Sequence, residues 1–418
     1  MDYFHRKDGH LWCEEVRVGD LADRFGTPLY VYSQRTFTEH FRKLDAAFSD
    51  VPHLVCYSVK ANGNLGILRE LGRLGAGADI VSGGELVKAR RAGIPADRIV
   101  YSGVGKTRAE LALAVREGIR CVNVENVEEL EVLDEVARSI GRRQAVAFRV
   151  NPDVDAHTHA HLTTGRRENK FGIPLEEVGR AAEVAARLEA LQVVGLDMHI
   201  GSQILTPEPY REALRQAREV VAFLRARGFP VEHLDIGGGL AVRYDTEEPM
   251  TADEFHEAII HLVRDLEVTL ILEPGRFIIG PAGILVGEVI FVKEAGNRRF
   301  VILDAGMNDL IRPVLYGAHH RLEPVVDRPG DPVPTDVVGP VCESGDFLGK
   351  DRRLPPLVRG DRVVVFTAGA YGFAMSSQYN QRPRAAEVLV DGTEARLVRR
   401  RETWEDLLAA ETDLIPGP

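Results

Sequence analysis

Between residues 51 and 273 short apolar runs alternate with longer amphipathic stretches, the pattern of repeated strand and helix units around a parallel sheet. Eight runs qualify as strands: 54–59, 78–82, 98–102, 121–124, 144–150, 193–199, 231–236 and 268–273. Helical periodicity fills the intervals, at 84–92, 108–117, 127–138, 175–188, 209–227 and 252–265. Eight such units predict an α/β fold, a (β/α)8 barrel of the TIM type, in which functional groups collect where the strands end. Polar or glycine-rich residues stand at or just after the ends of the runs: Lys60, Ser82, Ser102, Glu125, Asn151, His199, Gly237 to Gly239, and Glu273 to Arg276.

After Pro281 the texture changes to β-rich segments broken by Gly, Pro and Asp, at 284–293, 300–303, 336–341, 362–366 and 387–390. This predicts a second, mainly antiparallel β domain made of 1–33 and 282–418, beside a barrel spanning 34–281. The proline-rich stretch 321–334 reads as a surface loop. A closing helix is expected near Thr403, with Asp406 three residues on as its capping partner.

The chain has 418 residues and a net charge of -11, which disfavours nucleic acid and anionic membranes as partners. No apolar segment approaches the roughly 20 residues that span a bilayer, and residues 1–20 hold no apolar stretch of signal length. A soluble, cytoplasmic protein is the expectation. Cys13, Cys56, Cys121 and Cys342 are far apart, so neither a disulfide framework nor a metal site is indicated.

Lys60 ends the first apolar run, and amines in partly desolvated sites form Schiff bases with carbonyl compounds. On position alone a solvated strand-end lysine is the favoured reading. Gly237, Gly238 and Gly239 close the seventh run and Gly275-Arg276 follows the eighth, where barrels of this type place phosphate groups. Lysine and phosphate cradle together suggest pyridoxal 5'-phosphate. Glu273 could pair with the pyridine nitrogen of that cofactor or, more blandly, with Arg276; His199 could stack on its ring or be a core histidine.

These motifs resemble those of the diaminopimelate decarboxylases, within the alanine-racemase-like (fold-type III) class of pyridoxal-phosphate enzymes. The resemblance spans nearly the whole chain. It includes Tyr57 to Asn62 (YSVKAN), Val81 to Leu86 (VSGGEL), Phe148 to Pro152 (FRVNP), Glu168 to Gly172 (ENKFG), His199 to Gln203 (HIGSQ), Asp304 to Asp309 (DAGMND), Cys342 to Asp346 (CESGD) and Gly369 to Gly372 (GAYG).

The resemblance implies that Lys60 carries the cofactor as a Schiff base, with Asp79 and Arg149 near it and His199 against the ring. Ser202, Gly238, Gly239, Gly275, Arg276 and Tyr371 surround the phosphate, and Glu273 faces the pyridine nitrogen. Arg276, Arg312 and Tyr316 bind substrate carboxylates, with Glu343 and Tyr371 completing the pocket. Cys342 is the acid that protonates the carbon after CO2 leaves, arriving from the second subunit of a homodimer. The implied reaction converts meso-2,6-diaminopimelate to L-lysine and CO2, the last step of lysine biosynthesis.

Other readings compete. A related decarboxylase for carboxynorspermidine, arginine or a carrier-bound glutamyl group is disfavoured by Arg312 and Tyr316. A racemase needs a second base, commonly tyrosine, where this chain offers Cys342. A non-catalytic regulator on the same scaffold tends to lack the acid or the second domain.

Overall fold

A computed structural model describes residues 2–154, 170–296 and 298–411, so Glu168 and Asn169 of the fourth motif lie outside the described residues. The chain divides into two compact units. One comprises Thr38–Val242 and Glu247–Ile278; the other comprises Met1–Phe37, Arg243–Thr246 and Ile279–Pro418. The four-residue excursion at Arg243–Thr246 has no mark in the hydropathy pattern.

The first unit is a closed barrel of eight parallel strands: His53–Ser58, Gly77–Ile80, Ile99–Tyr101, Cys121–Val124, Gln144–Asn151, Leu191–Asp197, His233–Asp235 and Thr269–Leu272. Each pairs with its successor, and the eighth closes onto the first, with Leu270 opposite His53. The strands are apolar on both faces because one face fills the barrel and the other meets the helices. Cys56, Val100, Cys121, Ala147 and Ile271 pack together as one buried cluster. Burying each large aliphatic side chain in such a core contributes about 1.5–3 kcal/mol.

Short polar signals fix the helices. Ser82 accepts the Glu85 N–H at the start of Gly83–Arg91, Thr107 and Glu110 form a reciprocal capping box before Arg108–Glu117, and Asn126 caps Val127–Ile140. All eight strands run the same way, so the residues after each one gather on one rim.

The second unit is built on a mainly antiparallel sheet in the order Phe347–Leu354, Val333–Val338, Arg298–Leu303, Gly283–Ala295, Leu29–Ser33, Ala386–Asp391 and Glu394–Arg399. All five residues of Leu29–Ser33 are buried. The stretch 321–334 is not simply a loop: Leu322–Pro324 pairs antiparallel with Arg362–Val365, and Leu322, Pro324 and Val325 are buried. Leu322 and Val325 carry the stretch into the core despite its prolines. The closing helix is Trp404–Leu408, with Thr403 and Asp406 in a reciprocal capping box.

Candidate active site

The chain after the first barrel strand tightens into a 3-10 turn, Val59–Ala61, which places Lys60 at the rim. Its Nζ lies 3.1 Å from Asp79 Oδ2; the lysine side chain is 34% exposed, whereas the aspartate is fully buried. Ser58 Oγ stands 2.8 Å from the same Asp79 oxygen and 2.9 Å from the carbonyl of Glu273, tying strands one, two and eight together beneath the amine.

Close backbone approach explains the glycines. A Cβ on Gly238 would sit 2.1 Å from the Glu273 carbonyl oxygen. Gly239 adopts φ +101°, and a Cβ there would fall 2.7 Å from the Gly201 carbonyl oxygen. On Gly275 it would meet Ala61 and Ser58 at 3.0 Å. Beside these turns Ser202 Oγ accepts from Arg276 Nε and Nη2 at 3.3 and 3.2 Å.

His199 Nδ1 accepts the Gly238 N–H at 3.2 Å, which leaves the ring proton on Nε2. Burial, with Lys60 and Arg149 nearby, holds the imidazole well below its ordinary pKa, so the ring is neutral. Glu273 Oε2 lies 3.9 Å from the same Nδ1. Burial, then Asp235, Asp79 and Asp197, push the Glu273 carboxyl well above its usual range. A buried acid among other acids requires either a proton or a cationic partner.

Arg149 is buried, donating from Nη1 to Glu125 Oε1 at 2.6 Å, with Nε 3.6 Å from Asp197 Oδ2. Glu125 also accepts the backbone N–H groups of Gly103 and Gly172. The structure therefore brings Lys60, Asp79, Arg149, His199, Ser202, Gly238, Gly239, Glu273, Gly275 and Arg276 to one rim of the barrel.

Sequence reasoning named Glu273 but missed the two aspartates beside it. Asp197, Asp235 and Glu273 have carboxylate oxygens within 4.8 Å of one another. Asp235 is pushed up to about 6, chiefly by burial, and its Oδ1 accepts the Gly237 N–H at 2.9 Å. An aspartate within an apolar run was the available signal, in Asp235 two residues before the glycines and in Asp197 two residues before His199.

The remaining expected residues belong to the β unit. Arg312 opens the short helix Arg312–Tyr316 and is buried, whereas Tyr316 is half-buried. Cys342 and Glu343 are exposed on one loop, where the Cys342 N–H donates to Asn380 Oδ1 at 2.9 Å. Asp346 ties that loop to the Asp304 to Asp309 motif, accepting the N–H groups of Met307 and Val341 at 2.7 and 2.6 Å. Tyr371 is half-buried at φ +57°, a left-handed conformation uncommon outside glycine.

An amine at the rim, a turn of bare glycine backbone, a neutral imidazole and a buried acid suited to a ring nitrogen together fit pyridoxal phosphate. Fold and site define a barrel-type pyridoxal-phosphate-dependent decarboxylase. The family described as "Pyridoxal-dependent decarboxylase, pyridoxal binding domain" matches residues 34–280. The diaminopimelate decarboxylase of Pseudomonas aeruginosa is 49% identical over 416 residues, covering 100% of both chains. That of Aquifex aeolicus is 48% identical over 413 residues, 99% of this chain and 98% of its own. The crystal structure of diaminopimelate decarboxylase from Helicobacter pylori complexed with L-lysine superposes with a TM-score of 0.92 at 40% identity, covering 95% of this chain and 100% of that one. The chain belongs to the diaminopimelate decarboxylase family.

Proposed function

We infer that the rim around Lys60 binds the cofactor and that the β-unit residues Arg312, Tyr316, Cys342, Glu343 and Tyr371 receive the substrate and complete its chemistry. The reaction is the decarboxylation of meso-2,6-diaminopimelate to L-lysine and CO2, the last step of lysine biosynthesis. The observation that carries the site reading is Lys60 Nζ held 3.1 Å from a buried carboxylate, on the rim that also carries the glycine turn. L-lysine in the Helicobacter pylori structure supports the product.

When bound, pyridoxal phosphate supplies an electron-accepting ring that stabilises the carbanion left by CO2. The chain's own groups do the rest. Asp79 keeps the Lys60 amine oriented toward the site. The backbone of Gly238, Gly239 and Gly275, with Ser202, Arg276 and Tyr371, would hold the phosphate. Glu273 would present its carboxyl to the ring nitrogen, where a cationic N–H would offset the cost of ionising it. His199, neutral, offers an aromatic face without adding positive charge, and Arg149 holds its position through Glu125 and Asp197.

Arg276, Arg312 and Tyr316 bind carboxylates, Arg312 taking the end that survives in lysine, and Glu343 takes an amino group. The Cys342 thiol delivers the proton that replaces CO2. The exposure of Cys342 and its place in the Cys342-Glu343-Ser344 string support a homodimer in which the thiol serves the partner's site. Among the described residues no helix is long and apolar enough to cross a membrane. We place the enzyme in the cytoplasm, where lysine is assembled.

The deciding experiment is CO2 release by the cofactor-loaded protein from meso-diaminopimelate, ornithine, arginine and carboxynorspermidine in parallel. Release from diaminopimelate alone, with lysine as product, is expected. Preference for another substrate overturns the roles of Arg312 and Tyr316.

A further inference from the structure

Arg312 is held by a partner that no motif announces. It is 4% exposed, and its Nη1 lies 2.7 Å from Nε2 of the fully buried His320. The other ring nitrogen of His320, Nδ1, lies 2.8 Å from the carbonyl oxygen of Phe366. A guanidinium has donors only, so Nε2 accepts; a carbonyl accepts only, so the single ring proton is on Nδ1. Two neighbours thus select one neutral tautomer, and a second ring proton would set N–H against N–H.

Tyr244 closes another side. The guanidinium carbon of Arg312 is 4.7 Å from the centroid of the tyrosine ring, which meets His320 edge-on with centroids 5.2 Å apart. The guanidinium is therefore fixed both by a directional hydrogen bond and against an aromatic face.

We propose that His320 is a positioning residue for recognition of the substrate's distal carboxylate. It ties one Arg312 N–H through its ring to the Phe366 carbonyl, so that the guanidinium plane holds a fixed direction. This rests on the reading of Arg312 as a carboxylate binder. A carboxylate in the place of His320 would orient the arginine equally well but add an opposing charge; a neutral imidazole orients it and adds none. Ordering a long side chain before the substrate arrives also removes that cost from binding.

The test uses cofactor-loaded His320→Leu, His320→Asn, His320→Gln and Arg312→Ala. Measured are KM and kcat for meso-diaminopimelate, and inhibition by L-lysine and by cadaverine, which lacks the carboxylate. Gln can place an amide oxygen where Nε2 stands; Asn can keep the donor toward Phe366 but falls short of Arg312. His320→Leu and His320→Asn should raise KM about tenfold, the scale of one hydrogen bond to a charged group, with kcat within about threefold. Inhibition by L-lysine should weaken in parallel and that by cadaverine should hold, while His320→Gln recovers most of the affinity.

Unchanged KM in His320→Leu, with a raised KM in Arg312→Ala, overturns the proposal and spares the carboxylate reading. Equal weakening of lysine and cadaverine overturns it too, because the damage is then general. If Arg312→Ala leaves KM and lysine inhibition unaltered, the carboxylate reading falls and the proposal with it. Should His320→Leu not fold, equal KM in His320→Gln and His320→Asn is the overturning result.

Discussion

Lys60 Nζ, on the turn after the first barrel strand, and Asp79 Oδ2, on the second strand, stand 3.1 Å apart, an ion pair whose acid is sealed from solvent and whose base is not. An exposed pair of this length would contribute little. Here the buried partner fixes where the amine points. Lys60→Ala should abolish both CO2 release and the visible absorbance of the lysine-bound cofactor. Retained turnover would remove Lys60 from the chemistry.

Gly238 tests the phosphate cradle. A methyl group at this position is driven to 2.1 Å from a backbone oxygen, which cannot yield as a side-chain tip can. The strain of such overpacking is about 1–3 kcal/mol or more. Gly238→Ala should weaken pyridoxal phosphate at least about tenfold in an absorbance titration, a change of about 1.4 kcal/mol. Wild-type affinity would mean that the turn has no part in cofactor binding.

Cys342 is assigned to proton delivery alone. Cys342→Ala should leave the cofactor titration as in the wild type and lower kcat by about a hundredfold or more, the range of a lost general acid. An unaltered kcat would transfer the role to another group.

His233 gives a pH signature in stability. Burial, then the charge of Arg120, lowers its imidazole to about 4, against roughly 6.5 in an unfolded chain. Above pH 6.5 neither state is protonated. Between 6.5 and 4 the unfolded chain takes up a proton that the folded chain refuses, so stability falls as pH falls, by about 3 kcal/mol across the window. Urea unfolding of His233→Gln should lose correspondingly less stability over this range; parallel curves for variant and wild type would refute the assignment.

Gly195 bears on the same histidine. A Cβ there would stand 2.2 Å from His233 Nε2, so Gly195→Ala should cost about 3 kcal/mol or more in the same unfolding measurement. A midpoint within error of the wild type would show that the ring can rotate away.

The barrel was legible because strands buried on both faces leave uninterrupted apolar runs. Their ends were less so: 231–236 shrinks to His233–Asp235, and 193–199 begins earlier, at Leu191, and stops at Asp197. The helix Leu65–Arg73 was passed over between the first two strands, its two glycines diluting the periodicity. In the β unit, Phe347–Leu354 was illegible because its middle is Lys350-Asp351-Arg352-Arg353, solvent-side charges on a strand with buried ends. At the site, motif strings named the rim residues, but the acids beneath them look like any strand aspartate. His320 follows another histidine and acquires its role only when the chain brings Phe366 and Arg312 to its two nitrogens.

The central position of Leu29–Ser33 has a consequence for synthesis. It pairs on one side with Gly283–Ala295 and on the other with Ala386–Asp391, both made after the entire barrel segment. A nascent chain therefore carries an apolar strand with two open edges while the barrel emerges, the condition that invites pairing with other chains. Shielding of Leu29–Ser33 is therefore needed until the residues that follow the barrel segment leave the ribosome.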